Sequence, residues 1–157
     1  MNKEQLVNLV VIPTLKEIAK GIGAKPVLAI TMIIAHESKG GNYLKQIGGG
    51  PALGIIQMEP TTHDSIWDNG DSIWDNAFLM GIVTKDEFDN KRQPLAGRLI
   101  YDLRYNVFMA RQYLFMDTAP LPSTPYQMSA YLKDYWNSAG GAADSNSYLR
   151  DYELWGK

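Results

Sequence analysis

The longest apolar stretch in the chain, Val27-Leu28-Ala29-Ile30-Thr31-Met32-Ile33-Ile34-Ala35, runs straight into His36-Glu37-Ser38 and a glycine-rich tract. A run apolar on every side belongs inside a core, and Pro26 suits the first turn of a helix. The pattern predicts a buried helix over residues 26–38. Upstream, Leu6, Val10, Leu15, Ile18, Ala19 and Ile22 form a broad stripe at helical spacing. They predict a helix over 3–22, kinked at Pro13 and ended by Gly21 and Gly23. The helical period is lost over 39–58, where glycines at 40, 41, 48, 49, 50 and 54 separate the segments 43–47 and 53–57. That pattern fits short strands or a small hairpin.

Helical spacing returns downstream. Thr61 or Thr62 is placed to cap a helix through 64–76, and Thr84-Lys85-Asp86-Glu87 is a capping-box spelling. Leu99, Leu103, Val107, Ala110 and Leu114 line up on an amphipathic helix over 98–115. Three prolines between 117 and 125 mark a loop, after which Ser123 would cap a helix to about residue 137. A small-residue loop then leads to a last helix over 147–155. One repeat interrupts this order: Asp64-Ser65-Ile66-Trp67-Asp68-Asn69-Gly70 is followed by Asp71-Ser72-Ile73-Trp74-Asp75-Asn76. Seven residues are two helical turns, so both tryptophans would share one helix face. The repeat reads either as a lengthened surface helix or as an aromatic surface for stacking on sugars.

The 157 residues are most simply one domain, 1–157, mainly α with a small β element (α+β). A chain of this length builds a core without disulfide or metal. There is no cysteine, which excludes disulfides and thiolate chemistry. A net charge of −2 with mixed signs lacks the basic stripe of a nucleic-acid binder. Residues 6–12 are too short and too interrupted for a signal peptide or a membrane span. The expectation is a monomer made in the cytoplasm, with no nucleic acid, membrane insertion or cofactor among its needs.

The candidate chemistry centres on Glu37. A carboxyl at the end of a buried helix meets desolvation and the negative end of the helix dipole, and both favour its protonated form. A carboxyl still protonated near neutral pH is what a general acid requires. The bland alternative is an exposed glutamate at a helix end. His36-Glu37 begins like a zinc motif, but position 40 is Gly and the only other histidine is His63. The acidic repeat lacks the alternating oxygen ligands of a calcium loop. The glycine tract is followed by no phosphate-loop Lys-Ser or Lys-Thr, and no nucleophile elbow is present. Carboxylate chemistry is left. Glycoside cleavage uses one acid and usually a second carboxylate, for which Glu59, Asp64 and Asp68 are the candidates. Each of the three has an ordinary reading as a solvated surface charge.

Ala35-His36-Glu37-Ser38, then Tyr43, then Gly50-Pro51-Ala52-Leu53-Gly54-Ile55-Ile56-Gln57-Met58-Glu59-Pro60 resembles the lysozyme superfamily. The likeness is to its lytic-transglycosylase and goose-type-lysozyme branch, in the small versions encoded by bacteriophages. It covers about residues 29–60. A weaker match continues in 106–114 and in 129–141, where Ala130-Tyr131 or Tyr135-Trp136-Asn137-Ser138-Ala139-Gly140-Gly141 stands near the branch's Ala-Tyr-Asn-Ala-Gly-x-Gly. The resemblance implies a lysozyme-like domain of two helical lobes flanking a cleft. It implies a peptidoglycan glycosidase, an endolysin or a virion-associated lysin, acting at the host cell wall or periplasm. Glu37 would protonate the β-1,4 glycosidic oxygen between N-acetylmuramic acid and N-acetylglucosamine. Ile56 and Gln57 would face it across the cleft, with Ser38 and Tyr43 beside it. Tyr131, Tyr135 and Asn137 would line the helix side, one of them orienting Glu37. With Glu37 alone the reaction is that of a transglycosylase; with Glu59 activating water it is hydrolysis, toward which the acidic residue at 59 tilts the reading. The rival from another class is an inactive virion or glycan-binding protein that keeps the fold.

Overall fold

The computed structural model describes residues 1–137 and 143–157, and the chain is mainly helical. The first helical segment is continuous but changes register: α1 (Lys3–Leu6) passes through a π turn (Val7–Val11) into α2 (Ile12–Glu17). The wide turn precedes Pro13, which has no N–H to give to a regular ladder. The segment stops at Glu17 rather than at 22, because Ile18 is extended and tertiary bonds hold the backbone of residues 19–21. Ala19 N–H donates to Asn76 Oδ1 at 3.1 Å, and Arg111 Nε donates to the Gly21 carbonyl at 3.0 Å.

Helix α3 (Ala24–Glu37) is the pillar of the molecule. Ala29, Ile30, Met32, Ile33 and Ile34 are fully buried, each of the larger aliphatic side chains contributing on the order of 2 kcal/mol by leaving water. It packs against the π turn, α7 (Leu103–Phe115), α8 (Pro125–Tyr135) and α9 (Ser147–Leu154). Helix α7 (Leu103–Phe115) is the second central element, capped by Asp102, which accepts from Tyr105 N–H at 2.9 Å. The amphipathic helix expected over 98–115 begins later, after a separate 3-10 turn (Ala96–Ile100), and is buried nearly all round.

Residues 39–58 do not form a strand ladder. Leu53 makes two isolated bridges, to Lys45 and to Met58, and the expected small β element is reduced to these. Gly48, Gly49 and Gly54 sit at positive φ and coil the backbone back on itself between the bridges.

The repeat gives two helices instead of one: α4 (Pro60–Asn69) and α5 (Ile73–Leu79). Glu59, not Thr61 or Thr62, stands at the start of α4. The break is at Gly70, which is extended and approaches so closely that a β-carbon there would lie 2.8 Å from the Ile66 carbonyl. The two tryptophans still meet, edge to face at 4.8 Å across the corner. Trp67 is buried and gives its indole N–H to Tyr105, so it offers no stacking surface to a ligand. Helix α6 (Lys85–Asp89) starts with the expected capping box at Thr84 and Glu87. Helix α8 (Pro125–Tyr135) is capped by Thr124 rather than Ser123, with Pro125 in its first turn. Helix α9 (Ser147–Leu154) closes the chain over α3 and α8.

Candidate functional site

Glu37 is the last residue of α3. Lys39, Gly40 and Gly41 all have positive φ and turn the chain sharply away from the helix axis. Ser38 stabilises that turn: its hydroxyl donates to the Ile34 carbonyl at 3.2 Å and accepts from Gly41 N–H at 2.9 Å. Tyr43 closes it from outside, donating its hydroxyl to the Glu37 carbonyl at 2.7 Å.

The Glu37 carboxyl is held from the far end of the chain. Tyr148, on α9, donates its hydroxyl to Glu37 Oε1 at 2.5 Å. Burial raises the Glu37 pKa above the ordinary carboxyl range; the Tyr148 bond, and the charges of His36 and Lys39 after it, pull down without cancelling that rise. The Tyr148 phenol is pushed far up by burial and by the adjacent carboxyl, so it remains a donor. Its ring lies 4.3 Å from His36. His36 Nδ1 and Lys39 Nζ both reach Asp151 Oδ2, at 2.7 and 2.8 Å. Burial works against the charge on Asp151, but these two partners outweigh it and keep its pKa low. Tyr148 and Asp151 stand three residues apart on α9, so one helix face clamps the end of α3 twice.

Opposite Glu37, the coiled segment supplies Gln46, Ile47, Ala52, Gln57, Met58 and Glu59, which with Thr62 of α4 form one wall of a cleft of about 670 Å³. Gln57 is held at φ 48°, its side-chain amide donating to the Gly54 carbonyl at 2.9 Å. The other wall is aromatic: Tyr113 of α7, Tyr135 of α8, and Trp136, with Asn137 below them. Tyr135 donates its hydroxyl to the Tyr113 carbonyl at 2.5 Å, and the Tyr113 ring lies 4.8 Å from Tyr135 and 5.2 Å from Trp136. The Asn137 side chain acts on the Tyr148 hydroxyl, while its buried carbonyl oxygen has no protein partner among the described residues.

Of the residues picked from the sequence, Glu37, Glu59, Tyr43, Gln57, Tyr135 and Asn137 line this one cleft. Three take other places. Ser38 is fully buried with its hydroxyl engaged in the turn, and Ile56 is fully buried in the core. Tyr131 lies behind the wall, stacked on Tyr135 at 5.4 Å and donating to Asp117 at 3.0 Å. As the second carboxylate, Asp64 and Asp68 are out of place: neither lines the cleft, and Asp64 accepts from His63 and Gln93 instead. Positions 138–141 of the weaker motif match lie outside the described residues.

Sequence patterning does not single out Tyr148 or Tyr113, and Trp136 stands out only as part of the weaker motif match. Tyr148 stands 111 residues from Glu37 and in a helix with no motif of its own. Among the described residues, no group of three or more His, Cys, Asp or Glu side chains is arranged to hold a metal ion. The site offers one carboxyl biased toward its neutral form and fixed by a phenol, a second carboxylate in the same groove, and an aromatic wall facing an amide-bearing one. Compared with known proteins, the chain matches no protein-family model, no curated protein and no solved structure.

Proposed function

We propose that this protein cleaves the glycan strands of bacterial peptidoglycan, with Glu37 as the general acid. The observation that carries the reading is the Glu37 carboxyl itself, opening on a cleft, raised in pKa by burial and held by Tyr148. An acid so shifted keeps its proton to higher pH than an ordinary carboxyl, as donation to a glycosidic oxygen requires. The cleft suits a sugar polymer: Tyr113, Tyr135 and Trp136 present aromatic surface to the apolar faces of rings, and Gln46, Gln57 and Asn137 present amides to their rims. With the sequence likeness over residues 29–60, the arrangement is read as a two-lobed lysozyme-like domain of the transglycosylase and goose-type branch. The proposed setting is a bacteriophage lysin acting at the host wall.

Glu59 lines the same groove and supports hydrolysis through an activated water, Glu37 acting alone being the route to an anhydro product. Turbidity clearing and zymography of purified peptidoglycan, with Glu37→Gln as control, test the activity. Clearing that survives the substitution rejects Glu37 as the acid. Absence of clearing by the wild type, with retained sedimentation on the polymer, favours a glycan-binding protein. Mass analysis of the fragments separates reducing ends from anhydro ends, and Glu59→Gln abolishes only the former.

A further inference from the structure

A cavity larger than the Glu37 cleft lies elsewhere on the molecule. A trough of about 930 Å³ lies between the first helical segment, the beginning of α3 and the chain's last residues, and it shares no lining residue with that cleft. Val7, Ile12, Ile22, Val27 and Leu28 line it together with Trp155. Folding leaves this surface uncovered: Ile22 is 45% exposed, and Leu9, on the adjoining turn, is 70% exposed. Open apolar concavities of this size are characteristic of ligand sites rather than of ordinary surface.

The rim is cationic in a chain whose net charge is negative. Lys3 and Lys16 line the trough, and Lys157 follows Gly156 at its edge. Lys16 is exposed and makes no ion pair or hydrogen bond among the described residues. Lys3 donates to the Tyr152 carbonyl at 2.9 Å rather than to an acid, and it feels repulsion from Lys157. Glu4 and Glu153 offset part of this charge. The first turn of α3 also opens here at Gly23 and Ala24 without a side-chain cap, adding positive potential at the same rim.

We propose that the trough binds a single-chain anionic amphiphile, its acyl chain lying along Val7, Ile12, Ile22, Val27 and Leu28 and its carboxylate or phosphate head meeting Lys16 and Lys3. A concave surface receives a chain from outside; a flat bilayer cannot fill it. The site is separate from the glycan cleft and stands whether or not that cleft is catalytic.

Calorimetric titration of the full chain with sodium myristate, and with myristoyl lysophosphatidylglycerol, below their micelle concentrations tests this. Saturable one-to-one binding is expected, with a change in Trp155 emission; whichever of the two binds tighter identifies the head group. Lys16→Glu removes one cation and adds one anion at an exposed position, and weakens binding roughly tenfold. Ile22→Ser weakens it as well, and circular dichroism checks that both variants fold. Absence of saturable binding by the wild type overturns the proposal, as does affinity unchanged in both variants. Binding to phosphatidylglycerol vesicles without binding to either monomer overturns it in favour of a membrane surface.

Discussion

The hydroxyl of Tyr148 stands 2.5 Å from Oε1 of Glu37, joining the end of the third helix to the last one. This bond favours the carboxylate, whereas burial favours the acid, and burial prevails. Tyr148→Phe keeps the ring against His36 and deletes only the donor. The pKa of Glu37 then rises further, and the alkaline limb of the activity profile moves to higher pH. With Glu37 as the proposed acid, glycan cleavage slows about tenfold to a hundredfold as that carboxyl loses its anchor. Carboxyl carbon NMR of Glu37 reads the pKa shift without relying on activity, and an unmoved resonance would contradict the assignment.

A buried acid of raised pKa has a cost in stability. Its folded pKa lies above its unfolded one, so its contribution is fully present below the unfolded value and is lost as pH rises through the folded value. Glu37→Gln, which can still accept from Tyr148, is therefore expected to melt roughly 3 °C above the wild type at pH 7. The difference closes below about pH 4, where both side chains are neutral. Melting curves across pH check it; a variant less stable at pH 7 would mean that the charge is well accommodated.

A second buried network supports the floor of the molecule. Trp67 donates to the Tyr105 hydroxyl at 2.9 Å, and that hydroxyl has its one proton to give His63 Nε2 at 2.7 Å. His63 is thus neutral, with its proton on Nδ1 toward Asp64 at 2.8 Å. Burial holds its pKa low, so its contribution is present above the unfolded value and is lost as pH falls below about 6.5 toward the folded one. Tyr105→Phe strands two fully buried groups and costs about 3 kcal/mol of unfolding free energy. Denaturant melts measure this loss, and nitrogen NMR of the imidazole identifies the tautomer.

Gly54 is favoured for a reason of space as well as backbone. Its φ is +79°, and a β-carbon would lie 2.1 Å from Asn106 Oδ1 and 2.6 Å from the Leu99 carbonyl. Gly54→Ala is expected to cost about 3 kcal/mol. It also displaces Gln57, whose amide hangs from the Gly54 carbonyl. Denaturant unfolding measures the first effect, and weaker binding of soluble glycan fragments the second.

The features legible along the chain are local ones. The buried helix is legible because residues 27–35 are apolar on all sides, and Glu37 because the glycines after it end that helix. The Thr84 capping box needs only four residues. The features hidden from the sequence depend on distant partners. The first helical segment stops at Glu17 because Arg111 and Asn76 take up the backbone beyond it. The repeat breaks at Gly70 although its period fits one helix, because Asn76 must reach Ala19 and Trp67 must reach Tyr105. The glycine tract reads as strands, yet its positive-φ glycines coil the chain instead. Within the cleft, the carboxylates and Gln57 carry local spellings. Tyr113 and Tyr148 sit in helices where a tyrosine looks like any packing residue.

The clamp on Glu37 also orders events in time. The acid emerges from the ribosome 111 residues ahead of the phenol that holds it, a delay of roughly ten seconds at ordinary translation speeds. A nascent chain therefore carries the carboxyl before it carries the means to orient it. Competence at this groove arrives only when α9 docks, so the onset of any chemistry waits for a helix made well after the carboxyl it orients.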